Sequence, residues 1–177
     1  ELCREHGISI EWVLQSRKSE EVRLADFLSK DYDFSDYYLS TMDFQHLEDQ
    51  YGPFSCDYFA SDFTYRMKPF WSRYKCEGSA GVDAFTAVWR GSGFFHPPLH
   101  KIVETVRYAK VQGAKGVLVT PYWQGSAFWA YLEKEEGLVM RRRFRPMLRA
   151  PGFFKNKMFV GVPKFDFAVF SMDFSRR

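Results

Sequence analysis

A chain of 177 residues has room for one good hydrophobic core and is too short for two domains of ordinary size. Its 46% hydrophobic and 27% charged residues are ordinary for a globular protein, and no apolar run approaches the roughly 20 residues that span a bilayer, which argues against a membrane partner. The net charge of +3 excludes a globally basic protein but hides an uneven distribution: residues 20–62 are rich in Asp and Glu, whereas "RRRFRPMLR" at 141–149 holds five Arg, a local basic patch.

In chain order, "ISIEWVLQ" at 8–15 alternates apolar and polar residues and predicts a short strand. "SEEVRLADFLSK" at 19–30 spaces Val22, Ala25 and Leu28 as a helix with Ser19 as N-cap. The polar, turn-rich "DYDFSDYYLS" at 31–40 predicts a linker. "TMDFQHLEDQYG" at 41–52 then predicts a helix that offers Phe44 and Leu47 to a core and stops at Gly52-Pro53. Three short apolar runs follow, "FSCDYFA" at 54–60, "GFFHPP" at 93–98 and "AKGVLVTP" at 114–121, each predicted as a buried strand. Between the last two, "LHKIVETVRYAKVQG" predicts a helix with Ile102, Val103, Val106 and Ala109 on one face and Gly113 at its end. A further helix is predicted over 126–137, and "KMFVGVPKFDFAVFSMDF" at 157–174 predicts two strands joined near Pro163-Lys164. Strand, helix, strand is the order of a parallel α/β sheet, here closed by a C-terminal antiparallel hairpin.

The three cysteines, Cys3, Cys56 and Cys76, are odd in number and lack metal-ligand spacing. They argue against a disulfide scaffold and a structural zinc site, and for a reducing, intracellular setting, cytoplasmic or nuclear. The chain opens on Glu1 without a signal peptide and is expected to be a piece of a longer protein. Its 19% aromatic content, with 19 Phe, 10 Tyr and 5 Trp, fits either an unusually aromatic core or rings set out on a binding surface.

Ligands of parallel α/β sheets bind beyond the carboxyl ends of the strands, so the residues there matter most. They are Asp57 with Ala60 and Ser61, then His96-Pro97-Pro98-Leu99, then Thr120-Pro121-Tyr122-Trp123. Read together, "FQHLEDQYGPFSCDYFASDF" (44–63), "KPFWSR" (68–73), "GVDAFTAVW" (81–89), "FFHPPLHKIVETV" (94–106) and "AKGVLVTPYWQGSAFW" (114–129) resemble the DNA adenine N6-methyltransferase-like domain of phage and of tyrosine-recombinase retrotransposons of the DIRS and Ngaro type. The likeness covers about half the chain in the right order. Upstream, "IEWVLQSRKSEEVRLADFLSK" resembles the end of the ribonuclease H domain that precedes this segment beside the reverse transcriptase of such polyproteins, with Trp12, Ala25, Asp26, Leu28 and Ser29 matching and Val22 and Lys30 departing.

The resemblance implies a Rossmann-like methyltransferase fold over 44–177, a linker over 32–43 and a ribonuclease H remnant over 1–31. It implies S-adenosylmethionine as cofactor, held by Asp57, Ala60, Ser61 and Asp83. The ancestral reaction is methyl transfer to adenine N6 in DNA, with His96, Pro97, Pro98 and Leu99 at the base site. Arg141, Arg142, Arg143, Arg145 and Arg149 are the expected contacts to DNA or an RNA/DNA hybrid, and the rest of the polyprotein is the expected protein partner. Asp26 ligates a metal, magnesium, only within a complete ribonuclease H domain, whose other carboxylates lie upstream of Glu1.

The family motif is Asp or Asn, Pro, Pro, then an aromatic residue: acceptors hold the amino group of a flipped base while the ring stacks on it. The prolines stiffen the loop and add no N–H donor. Here both prolines stand, but a neutral His96 supplies one ring nitrogen in place of a carboxamide oxygen, and Leu99 cannot stack. "DYFASDF" also lacks the glycines that such cofactor turns use. The activity is therefore expected to be present or lost, and the rival reading is a non-catalytic nucleic-acid-binding or structural module of the polyprotein. Plainer roles stand beside each residue: a capping acid for Asp57, a turn acid for Asp83, a solvated helix position for Asp26, a solvated loop for the Arg cluster, and core packing for Trp123, Phe128 and Trp129. His96 and His100, four apart, lack a third ligand at metal-binding spacing.

Overall fold

The computed structural model describes residues 39–145 and 165–175. Helix α1 (Thr41–Tyr51) starts where Ser40 accepts a hydrogen bond from the backbone N–H of Asp43 at 3.0 Å. It ends at Gly52, whose N–H donates to the Glu48 carbonyl. The strands follow as β1 (Cys56–Ala60), β2 (Phe70–Ser72), β3 (Gly81–Val82) and β4 (Ser92–Phe95). After β4 a single 3-10 turn (Leu99–Lys101) leads into α2 (Ile102–Gln112), which closes on Gly113 at φ 62°, the left-handed conformation that glycine adopts without cost. The rest is β5 (Lys115–Pro121), α3 (Ala127–Leu132), β6 (Leu138–Phe144) and β7 (Phe167–Asp173).

These strands form one seven-stranded sheet in the order β3-β2-β1-β4-β5-β7-β6. The pairs from β3 to β5 are parallel; β7 runs antiparallel to both β5 and β6, so β6 points the same way as β1 to β5. Alternation along the strands separates two apolar layers. On one face Phe95, Leu118, Ala168 and Phe170 pack against Ile102, Val106 and Ala109 of α2 and Trp129 and Leu132 of α3. On the other, Phe94, Val117, Val119, Phe167 and Val169 pack against Phe44 and Leu47 of α1 and against Leu39. The mixed α/β architecture with its mostly parallel sheet follows the sequence reading, and no helix among the described residues is long and apolar enough to cross a membrane.

Several boundaries differ. In α2 the buried face is Ile102, Thr105, Val106 and Ala109, with Val103 only half buried. Thr105 is accommodated because its hydroxyl donates to the Lys101 carbonyl one turn back, at 2.8 Å. Helix α3 stops at Leu132 rather than 137. β7 pairs antiparallel with β5 and β6, while the other strand expected at the terminus and the turn at Pro163-Lys164 lie outside the described residues. Residues 141–144 of the basic run, for which a solvated loop is the plainer expectation, are strand. Their exposed position at the sheet edge tolerates charge, and pairing with β7 imposes the extended conformation. The elements expected over 8–15 and 19–30, and the segment boundary at 31, lie outside the described residues.

The aromatic content is largely core. Tyr58 stacks on Phe95 with centroids 5.0 Å apart, Trp89 packs against both, and its indole N–H donates to the Ala84 carbonyl at 2.8 Å.

Candidate functional site

Strand order reverses between β1 and β4, and the crevice beyond their carboxyl ends is where an open α/β sheet receives a ligand. The parallel register pairs Cys56 with Gly93 and Asp57 with Phe94, so both chains leave the sheet at the same edge. Ala60 and Ser61 come off β1 there, and His96-Pro97-Pro98-Leu99 comes off β4. The sequence-predicted base and cofactor segments are therefore neighbours.

Asp57 is not at the strand exit. It is the second residue of β1, 2% exposed, in the middle of the sheet between Phe70 and Phe94. Its Oδ2 accepts a hydrogen bond from the backbone N–H of Arg66 at 3.2 Å, and its Oδ1 has no partner among the described residues. Burial pushes the carboxyl up from 3.8 to about 7, against the opposing pull of the Arg66 and Phe59 backbone N–H groups and the Arg66 charge. Beside it, burial and the same Asp57 charge push the Cys56 thiol up to about 12, so this buried cysteine is not a nucleophile.

The turn after β1 is closed on itself. The Ser61 carbonyl accepts from the N–H groups of Thr64 and Tyr65, at 3.2 and 3.0 Å. The Ser61 N–H donates to the Thr64 hydroxyl at 2.9 Å, and the two hydroxyls are 3.0 Å apart. The N–H groups of Ser61, Phe63, Thr64 and Tyr65 are thus occupied, and Ala60 is buried. At the end of β2, where nucleotide-binding Rossmann sheets have use for a ribose-binding acid, Ser72 is buried and its hydroxyl donates to the Tyr74 carbonyl at 2.7 Å.

His96 is the first residue past β4. Its ring meets Phe167 edge-on at 5.5 Å, and burial, aided by the Arg66 charge, lowers its pKa from 6.5 to about 4, so it is neutral at physiological pH. Arg66 acts on both Asp57 and His96 and is anchored by its Nε donating to the Leu39 carbonyl. No sequence spacing announced it. Pro97 is buried, and Leu99 opens the 3-10 turn with its side chain packed against the α2 layer, turned to the core rather than to a base.

Asp83 sits beyond β3 at the far edge of the sheet, two strands from β1. Its side chain accepts from the Phe85 N–H at 3.1 Å and caps a short 3-10 turn at φ 63°, the role of a turn acid. Replacing Asp83 with Ala is expected to cost about 1 kcal/mol in urea denaturation through the lost cap, with no change in any ligand affinity.

The four described arginines of the basic run are exposed but engaged. Arg143 and Arg145 both pair with Asp166, Arg143 also lies over the Tyr122 ring at 4.3 Å, Arg142 lies over Phe144, and Arg141 donates to the Ser171 hydroxyl. Arg149 and Asp26 lie outside the described residues. Trp129 is core, Phe128 is half buried against the same layer, and Trp123 is exposed. Among the described residues no cluster of three His, Cys, Asp or Glu side chains is arranged to hold a metal ion. Comparison of the whole chain with protein-family models and with curated proteins finds no match to either.

Proposed function

We propose that residues 44–177 are a methyltransferase-like domain of a retrotransposon polyprotein, or of a host gene derived from one, that has kept the scaffold of a DNA adenine N6-methyltransferase and lost the cofactor turn. One observation carries the family side of this reading. Pro97-Pro98 leaves β4 at the switch point of a sheet ordered β3-β2-β1-β4-β5-β7-β6, in which β7 alone is reversed. A Rossmann-like methyltransferase sheet with its base-binding loop after the fourth strand has this arrangement.

The residues fit S-adenosylmethionine poorly. The turn after β1 has no glycine to let a ligand approach the backbone, and the N–H groups of Ser61, Phe63, Thr64 and Tyr65 are spent within the turn. Asp57 is buried under the strand ends instead of facing them, and no carboxylate stands at the end of β2. On the base side, neutral His96 retains one acceptor nitrogen for an amino group, while Leu99 gives no stacking surface. These features favour the binding-module reading over present-day methyl transfer.

Calorimetric titration of the 177-residue chain with S-adenosylmethionine tests it. No heat of binding at millimolar cofactor is expected. Micromolar binding would overturn the loss of the cofactor turn and make adenine N6 methylation of DNA the next assay.

A further inference from the structure

We infer that the carboxyl edge of the sheet is a stacking platform for single-stranded nucleic acid, built from Tyr74 and Trp123 with the cations beside them. The inference shares with the reading above only the choice of nucleic acid as ligand, and it needs neither cofactor nor methyl transfer.

The rings of this protein are distributed asymmetrically. Every exposed large aromatic among the described residues, Phe63, Tyr65, Tyr74 and Trp123, lies in a segment leaving the carboxyl end of a parallel strand, β1 for the first two, β2 for Tyr74 and β5 for Trp123; Tyr65 has already turned back to stack on Phe70 at the start of β2, centroids 4.7 Å apart, and does not stand at that edge. The exposed large side chains near the opposite edge, Val88 before β4 and Val111 at the end of α2, are aliphatic. Tyr74 is 42% exposed and Trp123 37%, although a core with this many aromatic contacts has taken in most other rings. Rings left in water at one edge, when the remainder are buried, mark a surface that something flat can cover.

Charge identifies what covers it. Arg73 lies over the Tyr74 ring at 5.1 Å. Because β6 runs parallel to β5, it too ends at this edge, bringing Arg143 onto Tyr122 at 4.3 Å and Arg145 beside it, two cations against the one carboxylate, Asp166, that both pair with. In the loop leaving β2, Arg73 and Lys75 stand against Glu77. A ligand with flat faces and regularly spaced negative charge matches rings interleaved with cations, which is the composition of single-strand binding grooves. A duplex offers its bases edge-on and keeps their faces stacked, so it cannot use the rings. From β2 to β5 is three strand spacings, about 14 Å at about 4.8 Å each, within the reach of a few nucleotides.

The test is fluorescence anisotropy of a labelled oligothymidylate of about 12 nucleotides against the full chain, with the matching duplex and heparin as competitors. Trp123→Ala and Tyr74→Ala are each expected to weaken single-strand binding about tenfold, the loss of one stacked base. Trp123→Phe keeps most of the affinity, since it keeps a ring. All variants should melt as the wild type does, both positions being exposed. The inference is overturned if the wild type does not bind the oligonucleotide at low salt. It is equally overturned if both alanine variants bind as wild type, or if duplex and heparin compete as well as single strands do, which would leave charge alone. Each of these failures leaves the methyltransferase-like reading standing, whereas cofactor binding would overturn the loss proposed there and leave the platform.

Discussion

Asp57→Asn is expected to stabilise the protein at pH 8 and to lose that advantage as pH falls to about 4. The folded carboxyl titrates at about 7 against an ordinary 3.8, with burial as the main cause. Below pH 3.8 the side chain is protonated whether the chain is folded or unfolded, and the folded state incurs no penalty. As pH rises from there to about 7 the unfolded chain releases a proton that the folded chain holds, so stability falls across that window and then levels. At about 1.4 kcal/mol for each tenfold, the full gap corresponds to roughly 4 kcal/mol. Asn cannot ionise and escapes the loss, but it needs partners of its own where Oδ1 has none, so a gain of about 1–3 kcal/mol at pH 8 is the expectation.

His96 has the opposite sign. Its folded value of about 4 lies below 6.5, so its contribution is present above 6.5 and lost as pH falls towards 4. The two groups oppose each other over almost the same window, and the wild type is expected to show a shallow profile between pH 4 and 7. Asp57→Asn should expose the histidine slope, with stability rising with pH; His96→Asn should expose the carboxyl slope, with stability falling. Thermal melts of both variants and of the double variant across that range check this. Parallel profiles for wild type and both single variants would show that neither group is shifted.

Gly116→Ala is expected to cost 3 kcal/mol or more, about the upper range of single substitutions and a large share of the stability of an ordinary domain. Gly116 stands opposite Gly93 where β5 pairs with β4, at φ 141°, a conformation that L side chains rarely adopt. A methyl group there would overlap the Gly93 carbonyl oxygen, which is backbone held by the ladder and cannot swing away. Relief requires parting β4 from β5, the step that also positions the His96-Pro97 loop. Gly125→Ala is the control: a methyl at that position meets nothing within 4 Å and should change stability by less than about 0.5 kcal/mol. Urea titration of the two variants decides the matter, and equal midpoints would contradict the close approach of the strands.

The strands at 56–60, 92–95 and 115–121 and the helices at 41–51 and 102–112 were legible because each is a short-range pattern: an apolar run cut by Pro or Gly, or one apolar helical face with a cap. The placement of Pro97-Pro98 directly after a strand was legible for the same reason. The role of Asp57 was not. An acid in "CDYFA" reads as a strand-end residue until the register with Phe70 and Phe94 puts it in mid-sheet, and the groups that act on it, Arg66 and the backbone of that loop, come close only when the chain has folded.

The same distinction applies to β2, β3 and β6, none of which was expected as a strand. "LVMRRRF" has no period that announces a strand, and its conformation comes from seven residues of β7 that follow much later in the chain. Sequence alone determined which segments are apolar enough to make a sheet and where the chain must turn, since those depend on neighbours within a few residues. Strand order and direction gathered Tyr74, Trp123 and the end of β6 on one edge, and only the tertiary structure could decide that, because parallel pairing joins residues whose separation in sequence carries no local signal.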